Sequence, residues 1–129
     1  MYSFNAETPI YLQLMDAIKG EIAAGKLLPG GKIASIREMA AFYAVNPNTV
    51  QRALLELERE GLLSTKRASG KTVTEDTEMI KNLREKRAKE RLEGCISAME
   101  GLGYSPRETA LWFERALNER RPGQKEAAQ

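Results

Sequence analysis

"SIREMAAFYAVNPNTVQRALLELEREGLL", residues 35–63, carries two helix starts close together. Ser35 and Glu38 form a capping box, in which the serine oxygen accepts a backbone N–H and the glutamate reaches back to the serine. Asn46-Pro47 is again a capping residue followed by proline, and Gly61 is suited to end the helix that follows. Only residues 44–46 separate the two helices. The stretch therefore predicts a helix-turn-helix.

The second of these helices has one apolar side and one polar side. At 100° per residue, Val50, Ala53, Leu54 and Leu57 share the inward side. Asn and Gln can bond adenine bidentately, Arg can do the same to guanine, and the Thr methyl can meet thymine. Residues of these types lie on the outward side of the helix and its flanks, and they are Asn48, Thr49, Gln51 and Arg52. This pattern predicts that the helix reads base pairs in the DNA major groove. The alternative is that the polar residues only cap and solvate a surface helix, which is the main role we expect for Asn46.

The next segment, "LLSTKRASGKTVTE", residues 62–75, predicts a two-stranded hairpin with its turn at residues 68–70. Lys66, Arg67 and Lys71 flank that turn. Directly after a helix-turn-helix, such a basic hairpin is suited to meet the sugar-phosphate backbone or the minor groove. The alternative is a loop whose cations are only solvated.

Further helices are predicted on both sides. Thr8-Pro9 is a capping residue followed by proline at the expected first helical position, and Gly25 is suited to end that helix. A long helix is predicted over residues 76–99, with a charged middle that we interpret as solvated, a nucleic-acid patch being the alternative. Gly101 and Gly103 break it, and a second capping box, Ser105 to Glu108, starts a last helix. Residues 122–129 are predicted to be a polar tail.

The last two helices carry more apolar side chains than a pair of this size can bury. Packing against a second copy of the chain would cover them, whereas folding back onto the N-terminal part is the alternative. The predicted dimerisation residues are Ile96, Met99, Leu111, Trp112, Phe113, Ala116 and Leu117. Cys95 is predicted to be a small core residue, because it lies in the apolar series Met79, Ile80, Leu83, Leu92, Cys95, Ile96 and Met99.

The chain resembles the GntR family of bacterial transcription regulators from Pro9 to Val73, and its short remainder resembles the small YtrA-like branch. The resemblance implies that Arg37 contacts DNA, that residues 46–49 form the tip of the recognition helix, and that residues 67–70 form the wing. It also implies that the protein governs a neighbouring operon, often one for a membrane transporter. Three positions depart from the family pattern. Ile33-Ala34 is read as a packing variation, Gln51 means that the operator need not match those of relatives, and Ala68, where a wing glycine is common, bears on how the wing approaches the minor groove. The full predicted DNA-binding set is Arg37, Asn46, Pro47, Asn48, Thr49, Gln51, Arg52, Lys66, Arg67, Ser69, Gly70 and Lys71.

Composition excludes several other functions. The chain has 129 residues, one cysteine, no histidine and a net charge of +2. Without histidine, the commonest general base is missing, and zinc sites of the cysteine–histidine type cannot form within one chain. The weak net charge means that any argument for nucleic-acid binding depends on where the cations lie. With no signal peptide or apolar span recognised, we expect a cytoplasmic protein without cofactor or metal, and not an enzyme.

The sequence thus predicts a mostly α-helical fold with a small β-hairpin: a winged helix-turn-helix over residues 1–75, a helical dimerisation segment over residues 76–121 and a tail over 122–129. The expected function is sequence-specific DNA binding as a homodimeric transcriptional regulator, as a repressor at an inverted-repeat operator. A winged-helix module for protein interaction, without specific DNA binding, is the alternative. Double-stranded DNA and a second copy are the expected partners, and a small-molecule effector is left open.

Overall fold

The computed structural model of the chain describes residues 2–67 and 70–127, and only the backbone of residues 121–127. The elements are α1 (Ile10–Ala23), α2 (Ile36–Tyr43), α3 (Pro47–Arg59), β1 (Leu63–Lys66), β2 (Gly70–Val73), α4 (Thr77–Gly101) and α5 (Pro106–Ala127). The predicted fold class, helices with one antiparallel hairpin, is confirmed. The chain forms two compact units, Met1–Glu85 and Lys86–Gln129, and their boundary falls inside α4. We call them the winged unit and the C-terminal helical pair.

Helix α1 supplies one wall of the core of the winged unit. Leu14, Ile18 and Ile22 repeat every four residues on one side of it and are almost completely buried. The predicted start is wrong by one position: Pro9 is the N-cap, no side chain caps the helix, and Ile10 is its first residue. The predicted end is confirmed, because Gly25 has a φ of 79°, in the left-handed region that glycine adopts at little cost.

The helix-turn-helix of α2 and α3 forms as the capping residues predict. The backbone N–H of Ser35 donates to the Glu38 carboxylate at 3.0 Å, and the backbone N–H of Glu38 donates to the Ser35 hydroxyl at 3.1 Å. Ala44 ends α2 in the left-handed conformation, with a φ of 56°. A non-glycine residue there is uncommon and is held by the short turn between two packed helices.

The hairpin pairs Leu63 with Val73 and Lys66 with Gly70. A third segment extends it, because the backbone N–H of Gly30 donates to the Val73 carbonyl at 2.9 Å and that of Ile33 donates to the Lys71 carbonyl at 3.0 Å. The sequence predicted only a turn for this Pro-Gly-rich segment. Its pairing joins residues some forty positions apart, which local turn signals do not reveal.

The first turns of α4 belong to the winged unit. Ile80 is buried in the core, and the Arg84 Nε donates to the Ala23 carbonyl near the end of α1 at 2.7 Å. Lys19 on α1 also forms an ion pair with Glu60, the C-cap of α3, at 2.8 Å. These contacts close the winged unit around α1 and α3.

In the C-terminal helical pair, the predicted capping box of Ser105 and Glu108 is confirmed, with its two bonds at 2.9 and 3.1 Å. The prediction that Cys95 is a core residue is wrong, because its side chain is exposed. Leu92 of the same apolar series is also exposed and Ile96 and Met99 are half-buried, whereas Ile80 at the start of the series is buried in the winged unit. Helix α5 also continues to Ala127, through the predicted tail at 122–127, which Pro122 and Gly123 did not lead us to expect.

Candidate nucleic-acid interface

Helix α3 is two-sided, as predicted. Val50, Ala53, Leu54 and Leu57 are buried in the core, whereas the polar residues of the first turns lie on the opposite side. Asn48, Gln51 and Arg52 are exposed and Thr49 is half-buried. We call the surface of Asn48, Thr49, Gln51 and Arg52 the recognition face. Leu55 is also on the outer side and 42% exposed, and no contact in the structure explains it.

The tip of α3 is fixed by its own cap. The Asn46 side-chain oxygen accepts the backbone N–H of Asn48 at 2.8 Å, and Pro47 occupies the first helical position. Because this oxygen is engaged in capping, Asn46 holds the start of the helix in place, and the exposed Asn48 carries the first side-chain amide within α3. Asn46 and Pro47 therefore define where the recognition face begins.

Arg52 is not extended freely into solvent. Its guanidinium carbon lies 3.8 Å from the centre of the Tyr11 ring, which is close stacking of a cation on an aromatic face. A shallow groove of about 390 Å³ between the start of α1 and the first turns of α3 is lined by Ile10, Tyr11, Asn48, Thr49 and Arg52. Sequence reasoning missed Tyr11, because the pair spans 41 positions and no local pattern links the two residues.

The basic residues of the hairpin are of two kinds. Lys66 and Arg67 are exposed, whereas the ammonium of Lys71 lies 3.4 Å from a Glu58 carboxylate oxygen and donates to the Thr65 hydroxyl at 3.0 Å. The Thr65 hydroxyl donates to Glu58 at 2.5 Å, and this bond, followed by Lys71, holds the pKa of Glu58 below its ordinary value. Lys71 thus ties the hairpin to α3, and its charge is partly compensated. Of the other predicted wing residues, Gly70 is exposed with a φ of 75°, and Ser69 lies outside the described residues.

Arg37 lies in the first turn of α2 and is exposed. Within the described ranges 2–67 and 70–127, it has no ion pair, so its charge is available on the surface. The neighbouring Glu38 is engaged in the capping box, and the backbone N–H of Ser35 is the main reason that the pKa of Glu38 is below its ordinary value. The winged unit thereby presents Arg37, the recognition face, Lys66 and Arg67 as its exposed candidate DNA contacts.

The predicted dimerisation residues are largely uncovered in the single chain. Leu111, Trp112 and Leu117 on α5 are 58%, 45% and 53% exposed. Ala116 is exposed as well, whereas Ile96, Met99 and Phe113 are half-buried. Among the side chains described from 86 to 120, Thr109 alone is buried, and its hydroxyl has no hydrogen-bond partner. This pair of helices therefore encloses almost no apolar surface of its own.

Other kinds of site receive no support from the described residues. No group of three or more His, Cys, Asp or Glu side chains within the described ranges could hold a metal ion. The helices described there are also too short or too polar to span a membrane.

Comparison with known proteins gives a consistent result. Residues 10–73 match the family of bacterial regulatory proteins, gntR family. The chain is 42% identical over 105 residues to YhcF of Bacillus subtilis, an HTH-type transcriptional regulator, and the match spans 81% of this chain and 87% of YhcF. It is also 42% identical over 71 residues to the HTH-type transcriptional repressor YtrA of the same organism, covering 55% of each chain.

Solved structures of transcription regulators also resemble this chain. A GntR family transcriptional regulator from Listeria monocytogenes has 38% identity and a TM-score of 0.77, over 87% of this chain and 98% of that one. The DNA-binding domain of AraR, solved in complex with operator ORX1, has 27% identity and a TM-score of 0.52, over 57% of this chain and 93% of that one. The likeness thus extends across both units in one case and is limited to about half of the chain in the DNA-bound case.

Proposed function

The chain belongs to the GntR family of bacterial regulatory proteins, and from that premise we propose that it is a repressor that binds an inverted-repeat operator as a homodimer. It is a DNA-binding transcriptional regulator, as its relatives are. The proposal concerns the sign of regulation, the form of the operator and the number of chains that bind it.

The observation that carries the DNA-reading part of the proposed function is the recognition face. Asn48, Gln51 and Arg52 are exposed on one side of a helix whose other side is buried, so they can reach base edges without any change in the core. Amide and guanidinium groups are the side chains that discriminate base pairs in the major groove. Thr49, at the edge of the face, is suited to contact a thymine methyl or a phosphate.

Arg37, exposed in the first turn of α2, is grouped with the recognition face as a reader of base edges. Lys66 and Arg67, exposed at the hairpin, are assigned to positioning on the DNA backbone. Contacts of this kind fix register and orientation on the duplex but carry no sequence information. Lys71 is assigned a different role, as the link between the hairpin and Glu58 on α3.

Repression is proposed because of the likeness to YtrA, which is named a transcriptional repressor. The homodimer is proposed from the uncovered apolar residues of α5, led by Leu111, Trp112 and Leu117. A two-fold dimer doubles the number of base pairs read and requires an operator whose half-sites mirror each other. We further propose that the protein is cytoplasmic and acts by binding alone, without catalysis. An effector, if one exists, would first be sought at the helical pair near Trp112.

The test is selection of sheared genomic DNA from the source organism by the purified chain, followed by sequencing of the retained fragments. Enrichment of a short inverted repeat upstream of a few operons is the expected result, and lower expression from those operons when the protein is present would establish repression. Retention of random fragments, or of none, would contradict the proposal and favour the protein-interaction module.

Two substitutions sharpen the test once a repeat is known. Arg52→Ala is expected to weaken binding about tenfold or more and to relax the preference at one base pair, whereas Lys66→Ala should weaken all duplexes alike and lower the salt dependence. Equal loss on the operator and on random duplex for Arg52→Ala would remove Arg52 from the reading set.

A further inference from the structure

We infer that Tyr11 on α1 is a positioning residue for DNA reading, because its ring fixes the guanidinium of Arg52 in the orientation in which it meets the duplex. The inference rests on the proposed function and extends it to a helix outside the helix-turn-helix and the wing. Tyr11 itself need not touch DNA for this role, since it acts through Arg52.

The first support is the geometry of the pair. The Arg52 guanidinium carbon lies 3.8 Å from the centre of the Tyr11 ring. Tyr11 is half-buried and packs against the core of the winged unit, whereas Arg52 is exposed. An anchored ring thus holds an exposed cation.

The second support is that the stacking leaves the N–H donors of Arg52 free to bind DNA. In the parts of the chain that the structure describes, Arg52 has no ion pair and donates no hydrogen bond to another residue. Stacking uses the face of the guanidinium, so its N–H donors in the plane stay available for a base edge or a phosphate. Because an arginine side chain has many rotamers, holding it before DNA arrives removes part of the entropy lost on binding.

The other arginine of α3 provides the contrast. Arg59 lies about two turns further along and forms an ion pair with Glu56, at 2.6 Å on the same helix. A carboxylate partner occupies N–H donors and compensates the charge, which an aromatic ring does not do. The carboxylate of Glu56 therefore competes with DNA for the N–H donors of Arg59, whereas the Tyr11 ring does not compete for those of Arg52.

The third support is the groove beside the pair. Asn48 and Thr49 line the same groove as Arg52 and Tyr11. A DNA group that enters there would meet two polar side chains of the recognition face together with the guanidinium. The orientation of Arg52 toward α1 thus decides which part of the duplex it reaches.

The experiment measures the affinity of the full chain for a fluorescent duplex that contains the selected inverted repeat, and for the same duplex scrambled. Tyr11→Leu is expected to weaken operator binding about fivefold to tenfold, in line with the usual strength of a cation–aromatic contact. Tyr11→Phe, which keeps the ring, should stay within about twofold of wild type. Arg52→Lys, which keeps the charge but not the planar group, should resemble Tyr11→Leu.

A double-mutant cycle separates positioning from a general effect on the fold. If Tyr11 acts through Arg52, Tyr11→Leu should change affinity by less than about twofold when Arg52 is already alanine. Equal losses in both backgrounds, or no loss in the wild-type background, would overturn the inference. A wild-type chain that binds operator and scrambled duplex equally would instead overturn the proposed function, and this arm keeps the two failures apart.

Nuclear magnetic resonance of the free chain gives a readout that a merely structural role would not move. The Arg52 Nε–Hε signal should carry a ring-current shift in wild type and in Tyr11→Phe, and should lose it in Tyr11→Leu. An Arg52 signal at the same position in all three chains would show that the ring does not hold the guanidinium in solution, and the inference would fail.

Discussion

The winged unit and the C-terminal helical pair differ in how they treat apolar side chains. In the winged unit, α1, α2, α3 and the hairpin enclose residues such as Leu14, Leu54 and Leu57, which are at most 1% exposed. In the helical pair, Leu111 and Leu117 are more than half exposed. Helices of this kind owe most of their stability to tertiary packing of an apolar face. The winged unit thus encloses its apolar residues within one chain, whereas the helical pair leaves exposed the residues that the proposed dimer would cover.

The comparison is tested most strongly in the core of the winged unit. Leu54→Ala should lower the free energy of unfolding by about 3 kcal/mol, because it removes buried methyl groups and leaves a cavity. The neighbouring Leu55, 42% exposed, is the matched control, and Leu55→Ala should cost less than about 1 kcal/mol. Urea unfolding measures both, and equal losses would mean that α3 is not two-sided in solution.

The next effect concerns the open face of the helical pair. Trp112→Glu should weaken self-association by about 2–3 kcal/mol, because it places a charge among apolar side chains that a second copy would cover. Phe42→Glu is the control, since Phe42 is an aromatic residue of the winged unit that is 70% exposed. Sedimentation of the two variants against wild type measures the change, and an unaltered Trp112→Glu dimer would move the interface away from α5.

A smaller effect is expected at Thr109, whose buried hydroxyl has no hydrogen-bond partner among the residues that the structure describes. Thr109→Val should raise the free energy of unfolding by about 1 kcal/mol, because it removes a desolvated polar group at nearly constant volume. Thr109→Ser keeps the hydroxyl and should show no such gain. If valine instead destabilises the protein, the hydroxyl finds its partner in the assembled form.

The smallest expected effect is the lowered pKa of the capping-box glutamate, which should be found in both units. Glu38 and Glu108 have pKa values below the ordinary 4.5, chiefly because the backbone N–H groups of Ser35 and Ser105 bond their carboxylates. A lowered folded-state pKa means that this stabilisation is complete above the ordinary value and is lost as pH falls through the folded one. Carbon shifts of the two carboxyl groups during acid titration measure the pKa directly, with Glu38→Gln and Glu108→Gln as controls. A pKa at or above 4.5 in either unit would contradict the capping box there.

Local signals predicted much of the fold. Each helix end is set by neighbours within a few residues, so it can be recognised from the sequence. The residues that cap a helix start or end a helix in this way are Ser35, Asn46, Gly61 and Ser105. The buried side of α3 followed in the same way from its period.

Contacts between distant residues were not predictable in this way. The stacking of Arg52 on Tyr11, the ion pair of Lys71 with Glu58 and the pairing of Gly30 with Val73 all depend on the tertiary fold. Cys95 was placed wrongly for a related reason. An apolar period identifies a helix face that is suited to burial, but it does not indicate whether the same chain or another chain buries that face.

The most direct measurement is native mass spectrometry of the full chain, alone and with a duplex that holds one selected inverted repeat. A homodimer should give a free species of twice the chain mass of 14.4 kDa and a complex of two chains on one duplex. A free monomer that binds the repeat as a single chain, with no second chain added at higher protein concentration, would contradict it.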